Sequence, residues 1–318
     1  MLQEQKIVLS DIRPLEKFTN LEKLQLCRID PPQENIPKWM KLLVKFGIYN
    51  LKNRYSIDLY PIKNLSNLQK LDIDDMPIKN IKPLASLINL KELALKTADV
   101  SDIKPLKNLT NLQNLCLLEI NISNINQLKD LKNLHALWLK KTQVSNLEPL
   151  KDLTNLKLLD IYECPITELQ PLANLLNLQT LYLDATKISD FQPIKGLTNL
   201  RTLSLVRTQI SDITLVSELK NLKILHLNDT KVSSLEPIRS LIDLQVLSLN
   251  NTQITNFKPL KRLVNLQELW LNDTGISNLE TIKELINLRS LHIKNCPNIT
   301  DQQVEDLQKA LPELNINR

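Results

Sequence analysis

The sequence predicts an α/β solenoid, a stack of about 13 short coils in which each coil gives one strand to a parallel sheet and one tight turn to the opposite side. Three observations predict it. An Asn-Leu dipeptide returns every 22 residues, the leucines after it first alternate and then fall three apart, and the 318 residues include only three glycines.

The dipeptide begins at Asn67, Asn89, Asn111, Asn133, Asn155, Asn177, Asn199, Asn221, Asn265 and Asn287, and Asp243-Leu244 fills the one gap. With this Asn as position zero, aliphatic residues recur at plus one, four, six, eleven, fourteen, seventeen and twenty. In the coil that starts at Asn177 most of these are Leu178, Leu181, Leu183, Ile188, Ile194 and Leu197, with Phe191 at plus fourteen. The Leu181/Leu183 alternation has the period of a strand with one buried face. The later aliphatics, three apart and preceded by Pro193, fit a 3₁₀ turn, whose side chains eclipse every third residue. One coil cannot bury its own apolar face, so neighbours must stack and their strands must run parallel. The scarcity of glycine predicts that each coil bends through Pro, Asn, Asp and Ser rather than through left-handed glycine turns.

The run Asn-Leu-x-x-Leu-x-Leu-x-x-Thr-x-Ile-Ser-Asp-Phe-x-Pro-Ile-x-x-Leu, read at Asn177 to Leu197, resembles the leucine-rich repeat of the 22-residue, bacterial, internalin-like class. The resemblance covers residues 67 to about 295 without a break. It implies a horseshoe with a concave parallel sheet, convex 3₁₀ or short helical turns, and protein binding on the concave side. One column departs from the class. At plus nine, where asparagine usually ladders to the backbone, this chain has Met76, Ala98, Ile120, Thr142, Cys164, Thr186, Thr208, Thr230, Thr252, Thr274 and Cys296. Threonine and cysteine retain some hydrogen-bonding capacity and Met, Ala and Ile have none, so the first three full coils are expected to be looser or differently bent.

The ends break the pattern and divide the chain into three parts. Residues 1–66 form irregular repeats, including one unit stretched to 25 residues between Asn20 and Lys45; residues 67–297 are the regular coils; and residues 298–318 close the stack. The stretched unit holds Ile36-Pro37-Lys38-Trp39-Met40, with Trp39 expected in the core. Leu9 to Asn20 matches Val100 to Asn111, so the chain is expected to open inside a repeat, with no helical amino-terminal cap and an open sheet edge able to meet another domain or chain. At the other end an Asp301-capped helix over Gln302 to Leu311 is expected, with a last strand around Leu314 and Ile316.

Composition excludes several functions. Gly47, Gly196 and Gly275 are too dispersed for a phosphate-cradling or dinucleotide loop. A net charge of +5 is too mild over this length to mark a nucleic-acid footprint. Cys27, Cys116, Cys164 and Cys296 form no CxxC pair and no zinc-ligand cluster, which predicts reduced thiols and a reducing, cytoplasmic compartment. No signal-like segment and no apolar membrane span occurs, although a surface or secreted protein whose signal had been removed would read the same way. His135, His226 and His292 lie in separate repeats, the last two about 14 Å apart by strand spacing. No metalloprotease or hydrolase motif is present, so neither enzyme activity, cofactor nor metal is expected.

The residues left free by the repeat carry the functional reading. Positions plus three, five, seven and eight face the concave side or its edge, because plus four and six point inward. The plus-five column contains Trp138, Asp160, Tyr182, His226, Trp270 and His292. Around them stand Leu118, Leu158 and Tyr162, and Lys140, Lys141, Glu163 and Asp184 form a charged rim. Aromatic anchors inside a polar rim are the anatomy of a protein-binding hot spot, and the expected partner-binding set is Trp138, Tyr162, Tyr182, Leu118, Leu158, Lys140, Asp160, Asp184, His226 and Trp270. By contrast Phe18, Phe191 and Phe257 fall in core columns.

Two other patterns read as structural. The basic plus-eighteen ridge (Lys107, Lys129, Lys151, Lys195, Arg239, Lys261, Lys283) lacks aromatics for base stacking and reads as a solvated face, and no nucleic-acid partner is expected. The Asn/Asp band from Asn228 to Asp273 reads as a common form of the repeat rather than a calcium or sugar site. The expected function is therefore non-enzymatic protein recognition, as an adaptor, sensor or inhibitor. An internalin-like surface adhesin and the regulatory subunit of an enzyme such as a phosphatase are the alternatives.

Overall fold

The computed structural model describes residues 4–7, 12–27 and 57–318. The stretched 25-residue unit, with Trp39 and most of its sequence, lies outside the described residues. The chain divides into two compact units, Met1–Leu156 and Lys157–Arg318.

In the amino-terminal unit six strands follow one another in a parallel sheet: β1 (Glu4–Ile7), β2 (Lys23–Cys27), β3 (Lys70–Asp74), β4 (Glu92–Lys96), β5 (Asn114–Leu118) and β6 (Ala136–Trp138). The carboxyl-terminal unit continues the pattern with β7 (Leu158–Asp160), β8 (Thr180–Tyr182), β9 (Thr202–Ser204), β10 (Ile224–His226), β11 (Val246–Ser248), β12 (Glu268–Trp270) and β13 (Ser290–His292). It ends in helix α1 (Asp301–Ala310) and strand β14 (Asn315–Asn317), which pairs with β13. Between strands the chain makes the predicted 3₁₀ turns, for example Lys82–Ser86, Gln192–Ile194 and Lys258–Arg262, most with a proline in the first two positions. An Asx or Ser side chain two residues ahead often caps them, as where Asp190 Oδ1 accepts from Gln192 N at 2.8 Å.

Stacking buries the inward columns almost completely. Leu181, Leu183, Leu197 and Ile194 are at 0% exposure and Ile188 at 1%. Apolar burial on this scale is the main stabilising term of each coil, worth roughly 1.5–3 kcal/mol per large side chain. Phe191 and Phe257 are buried as expected, but Phe18 is 38% exposed. Its ring is larger than the leucine found in that column elsewhere.

The asparagine ladder runs at position zero rather than plus nine. Asn89 Nδ2 donates to Ser66 O, Asn111 to Ile88 O, Asn133 to Thr110 O, Asn221 to Thr198 O and Asn287 to Val264 O, all at 2.8–2.9 Å. The residue that sets the sequence period is thus the one that ties each coil to the coil before it.

The plus-nine column controls strand length. Where it is Met76, Ala98 or Ile120, the strands β3, β4 and β5 run for five residues. From Thr142 onward the strands of the regular coils shorten to three residues. The threonine hydroxyls donate back to the plus-six carbonyl of their own coil, Thr142 to Leu139 at 2.8 Å and Thr230 to Leu227 at 2.7 Å. That bond closes the backbone into a turn just after the strand. The expected difference in the first coils is therefore an extension of the strand.

The coils bend without left-handed glycine, as expected, but not only through Pro, Asn, Asp and Ser. Each coil does turn through a left-handed residue, always at plus eight: Asp75, Thr97, Glu119, Lys141, Glu163, Ala185, Arg207, Asp229, Asn251, Asp273 and Asn295 all have φ between 49° and 58°. None is glycine, and neither Gly196 nor Gly275 adopts this conformation. The turn is held by hydrogen bonds to the next coil, such as Ala185 N to Val206 O at 2.8 Å, which offset the steric cost.

The cap of α1 also shifts by one residue. Thr300, in extended conformation, accepts from Gln303 N, and Gln303 Oε1 accepts from Thr300 N at 3.0 Å, forming a capping box. Asp301 is the first helical residue and pairs with Arg318.

Candidate functional site

Alternation along the strands settles which side chains can meet a ligand. Plus four and plus six are buried, so plus three and plus five stand on the open face of each sheet. In the carboxyl-terminal unit the register forms two continuous rows. One runs Asp160, Tyr182, Ser204, His226, Ser248, Trp270, His292 and Asn317; the other runs Leu158, Thr180, Thr202, Ile224, Val246, Glu268, Ser290 and Asn315. At about 4.8 Å per strand, Tyr182 and Trp270 stand roughly 19 Å apart with His226 midway.

The rings at the far end of the first row are tightly ordered. Trp270 and His292 stack with centroids 3.5 Å apart and planes 3° apart. His292 Nε2 lies 3.0 Å from Ser290 Oγ, and His226 Nδ1 lies 2.9 Å from Ser248 Oγ. Burial pushes both imidazoles below the ordinary value of 6.5, against the opposing pull of Glu268. Burial also raises the Tyr182 hydroxyl, and Asp160 and Asp184 add to it. The row thus presents rings that are uncharged at neutral pH, with the Ser204 and Ser248 hydroxyls buried between them and the Asp160 carboxylate at its first position.

The other expected site residues take different places. Tyr162 lies toward the sheet edge, where its hydroxyl accepts from the Arg207 guanidinium and its ring lies 5.4 Å from the same group. Arg207 also pairs with Glu163 at 3.0 Å. The hydrogen bond to Glu163 raises the Tyr162 hydroxyl, and burial adds to the rise against the opposing effect of Arg207. Asp160 Oδ1 accepts from Tyr162 N at 3.0 Å. Asp184, expected in the charged rim, accepts from Val206 N at 2.7 Å and from the Ser204 hydroxyl. Its carboxylate fastens adjacent coils. In the amino-terminal unit, Cys116 and Trp138 are partners across β5 and β6, Leu118 ends β5, and Lys140 lies two residues beyond β6. Neighbouring Lys141 pairs with Glu119 at 2.8 Å.

Two participants were absent from the expected site. Arg207 stands at plus eight, the concave-edge column of Lys141 and Glu163, but is not among the expected residues, and His292 carries no sequence signal that it would stack on Trp270 until the strands are in register.

Internal bonds account for the Asn/Asp band and for part of the basic ridge. Asn228 Oδ1 accepts from Asn250 N, Asn250 Oδ1 from Asn272 N, and Asn272 Oδ1 from Lys294 N, each at 2.8 Å. The Asn/Asp band is thus a second ladder. Along the basic ridge, Lys151 pairs with Glu148 at 2.6 Å and Lys283 with Glu280 at 2.7 Å, which leaves little free charge at those coils. Among the described residues no group of three or more His, Cys, Asp or Glu side chains is placed to hold a metal ion, and no helix is long and apolar enough to cross a membrane.

Comparison with known proteins agrees with this geometry. A family described as Leucine Rich repeats (2 copies) matches residues 154–196, 176–221, 198–240, 220–262 and 242–285. The chain is similar to the crystal structure of an internalin (inlF) of Listeria monocytogenes, at 30% identity over 83% of this chain and 84% of that one, with a TM-score of 0.72. An internalin C2 (inlC2) of the same organism is 35% identical over 59% of this chain and 83% of its own, with a TM-score of 0.57. A leucine-rich-repeat protein of Leptospira interrogans is 25% identical over 95% of this chain and 91% of its own, with a TM-score of 0.69. No curated protein sequence matches the chain. A strict 22-residue frame, a parallel sheet backed by 3₁₀ turns and these similarities together place the chain in the leucine-rich-repeat family, in its internalin-like class.

Proposed function

We propose that this protein is a non-enzymatic recognition scaffold that binds a partner protein through the strand face of its repeats. The observation that carries the reading is the row Tyr182, His226, Trp270 and His292, in which large rings occupy positions that the fold does not need for its core. Tyr and Trp supply large contact area at low entropic cost, and pre-stacked rings lose little further freedom on binding. Trp138, with Lys140 two residues on and Leu118 at the end of the paired strand β5, offers a similar anchor in the amino-terminal unit. The partner is a folded protein or peptide with an apolar contact surface, and the role is that of an adaptor, sensor or inhibitor in the cytoplasm.

The similarity to the Listeria internalin (inlF) favours a second reading, an adhesin displayed at the cell surface. Both readings use the same face and differ in compartment. The test is quantitative affinity capture with the wild-type chain and with Trp138→Ala, Tyr182→Ala and Trp270→Ala, combined with fractionation of the source cells. A partner lost by all three variants while their circular dichroism is unchanged supports the strand face. Equal capture by all the variants overturns it, and the compartment of the chain separates adaptor from adhesin.

A further inference from the structure

The strands have a second exposed feature, at the edge where each coil enters its strand. The residue just before position zero reads Lys220, Ile242, Val264 and Ile286 over four successive coils. The three aliphatics are 57%, 43% and 74% exposed, although large apolar side chains are usually buried. The carbonyls of the first two are occupied: Ile242 O accepts from Asn265 Nδ2 at 3.0 Å and Val264 O from Asn287 Nδ2 at 2.8 Å. The asparagine ladder therefore holds Ile242 and Val264 in place, and Ile286 follows at the same coil position, so the three exposed side chains form a rail of about 10 Å at the coil spacing.

The charge around the rail has one dominant sign. Lys220, Lys261, Arg262 and Arg289 are exposed and enter no ion pair among the described residues, against two carboxylates in the same state, Glu268 and Glu284. Beside the rail, Gln245, Gln267 and Arg289 help line a polar recess of about 180 Å³. An α-helix that presents apolar residues at i, i+4 and i+7 spans about 10.5 Å, which matches the rail, and acidic residues on its flanks would meet the cations.

We propose that Ile242, Val264 and Ile286 form a docking rail for an acidic amphipathic helix of a partner protein. The rail is separate from the strand face and stands or falls independently of it. A displayed library of single helices, with leucines fixed at i, i+4 and i+7 and flanking positions drawn from Glu, Ser and Lys, tests it on the full chain. The expected winners are rich in Glu, weaken as salt rises, and lose about tenfold or more in affinity on the variant Ile242→Ser/Val264→Ser/Ile286→Ser. They retain their affinity on Tyr182→Ala/Trp270→Ala. The proposal is overturned if no helix is enriched, if winners prefer Lys or show no charge preference, or if they bind the triple variant equally well. It is also overturned in favour of a second copy of this chain if sedimentation shows a dimer that the triple variant abolishes. Rail-dependent binding to phosphatidylserine vesicles without helix selection overturns it in favour of a membrane surface.

Discussion

Asn265 donates its side-chain amide to the backbone carbonyl of Ile242 across 3.0 Å, and the same bond from position zero recurs at eight other described coils. Asp243 occupies this position in its own coil, where a carboxylate cannot donate; it pairs instead with Lys223 at 3.2 Å on the surface. Asp243→Asn gives the carbonyl of Lys220 the missing donor. A hydrogen bond of this kind is worth about 1 kcal/mol, more than an exposed ion pair. The variant is expected to be more stable by that amount in urea unfolding; an unchanged or lower midpoint would show that the ladder adds nothing there.

Ala185 sits in the left-handed region at φ 54°. An L side chain there costs roughly 1–2 kcal/mol, and alanine gains no polar contact in return. Ala185→Gly should therefore stabilise the fold by up to about 1 kcal/mol after the entropy of the glycine in the unfolded chain is counted. Calorimetry reads this as a higher Tm. Arg207→Gly, at the same coil position, should not show the gain, because it also removes the contacts to Tyr162 and Glu163.

Gln127 stands in the column that holds Pro83, Pro105, Pro149 and Pro193 in other coils, and its Oε1 is buried with no hydrogen-bond partner. Its position in the turn Asn126–Leu128 is the one proline takes elsewhere. Gln127→Pro removes an unsatisfied acceptor and restricts the unfolded chain. A gain of roughly 1–2 kcal/mol is expected, read from the urea midpoint at unchanged m-value.

Tyr182→Ala and Trp270→Ala are each expected to weaken binding of a strand-face partner by more than about 2 kcal/mol, the range of hot-spot truncations. The rings fill no core column, so the thermal unfolding curve should change little. Isothermal titration together with a melt separates loss of binding from loss of fold.

His226 is held below its ordinary value of 6.5 by burial. A histidine with a lowered folded-state value binds its proton more readily in the unfolded chain. The stability tied to its neutral form is therefore complete above 6.5 and is lost as pH falls through that value toward the folded one. The urea midpoint is expected to drop on acidification below pH 6.5, and His226→Gln should flatten that drop. A variant with the wild-type slope would remove His226 as its source.

Much of the coil was legible in the sequence because it depends on local periodicity. Leu181 and Leu183 mark the strand, Pro193 and Ile194 the 3₁₀ turn, and Asn177 the period. The faces followed from alternation alone, which is why Tyr182 and Trp270 could be set apart from Phe191. What was misread depends on bonds between coils. Asp184 reads as a surface charge in one coil, yet its carboxylate is taken up by Val206 N of the next. The left-handed residue at plus eight carries no residue signature because Glu, Lys, Ala and Arg all occupy it, held by hydrogen bonds to the following coil.

The sequence by itself determined the coil: its length, its buried columns, its parallel strands and its family, all set by side chains whose spacing repeats within 22 residues. The tertiary structure alone decided where the asparagines ladder, that Trp270 and His292 stack, and that Ile242, Val264 and Ile286 form a line. Each of those depends on residues 22 positions apart being brought to within about 5 Å by stacking, a distance that no local pattern encodes.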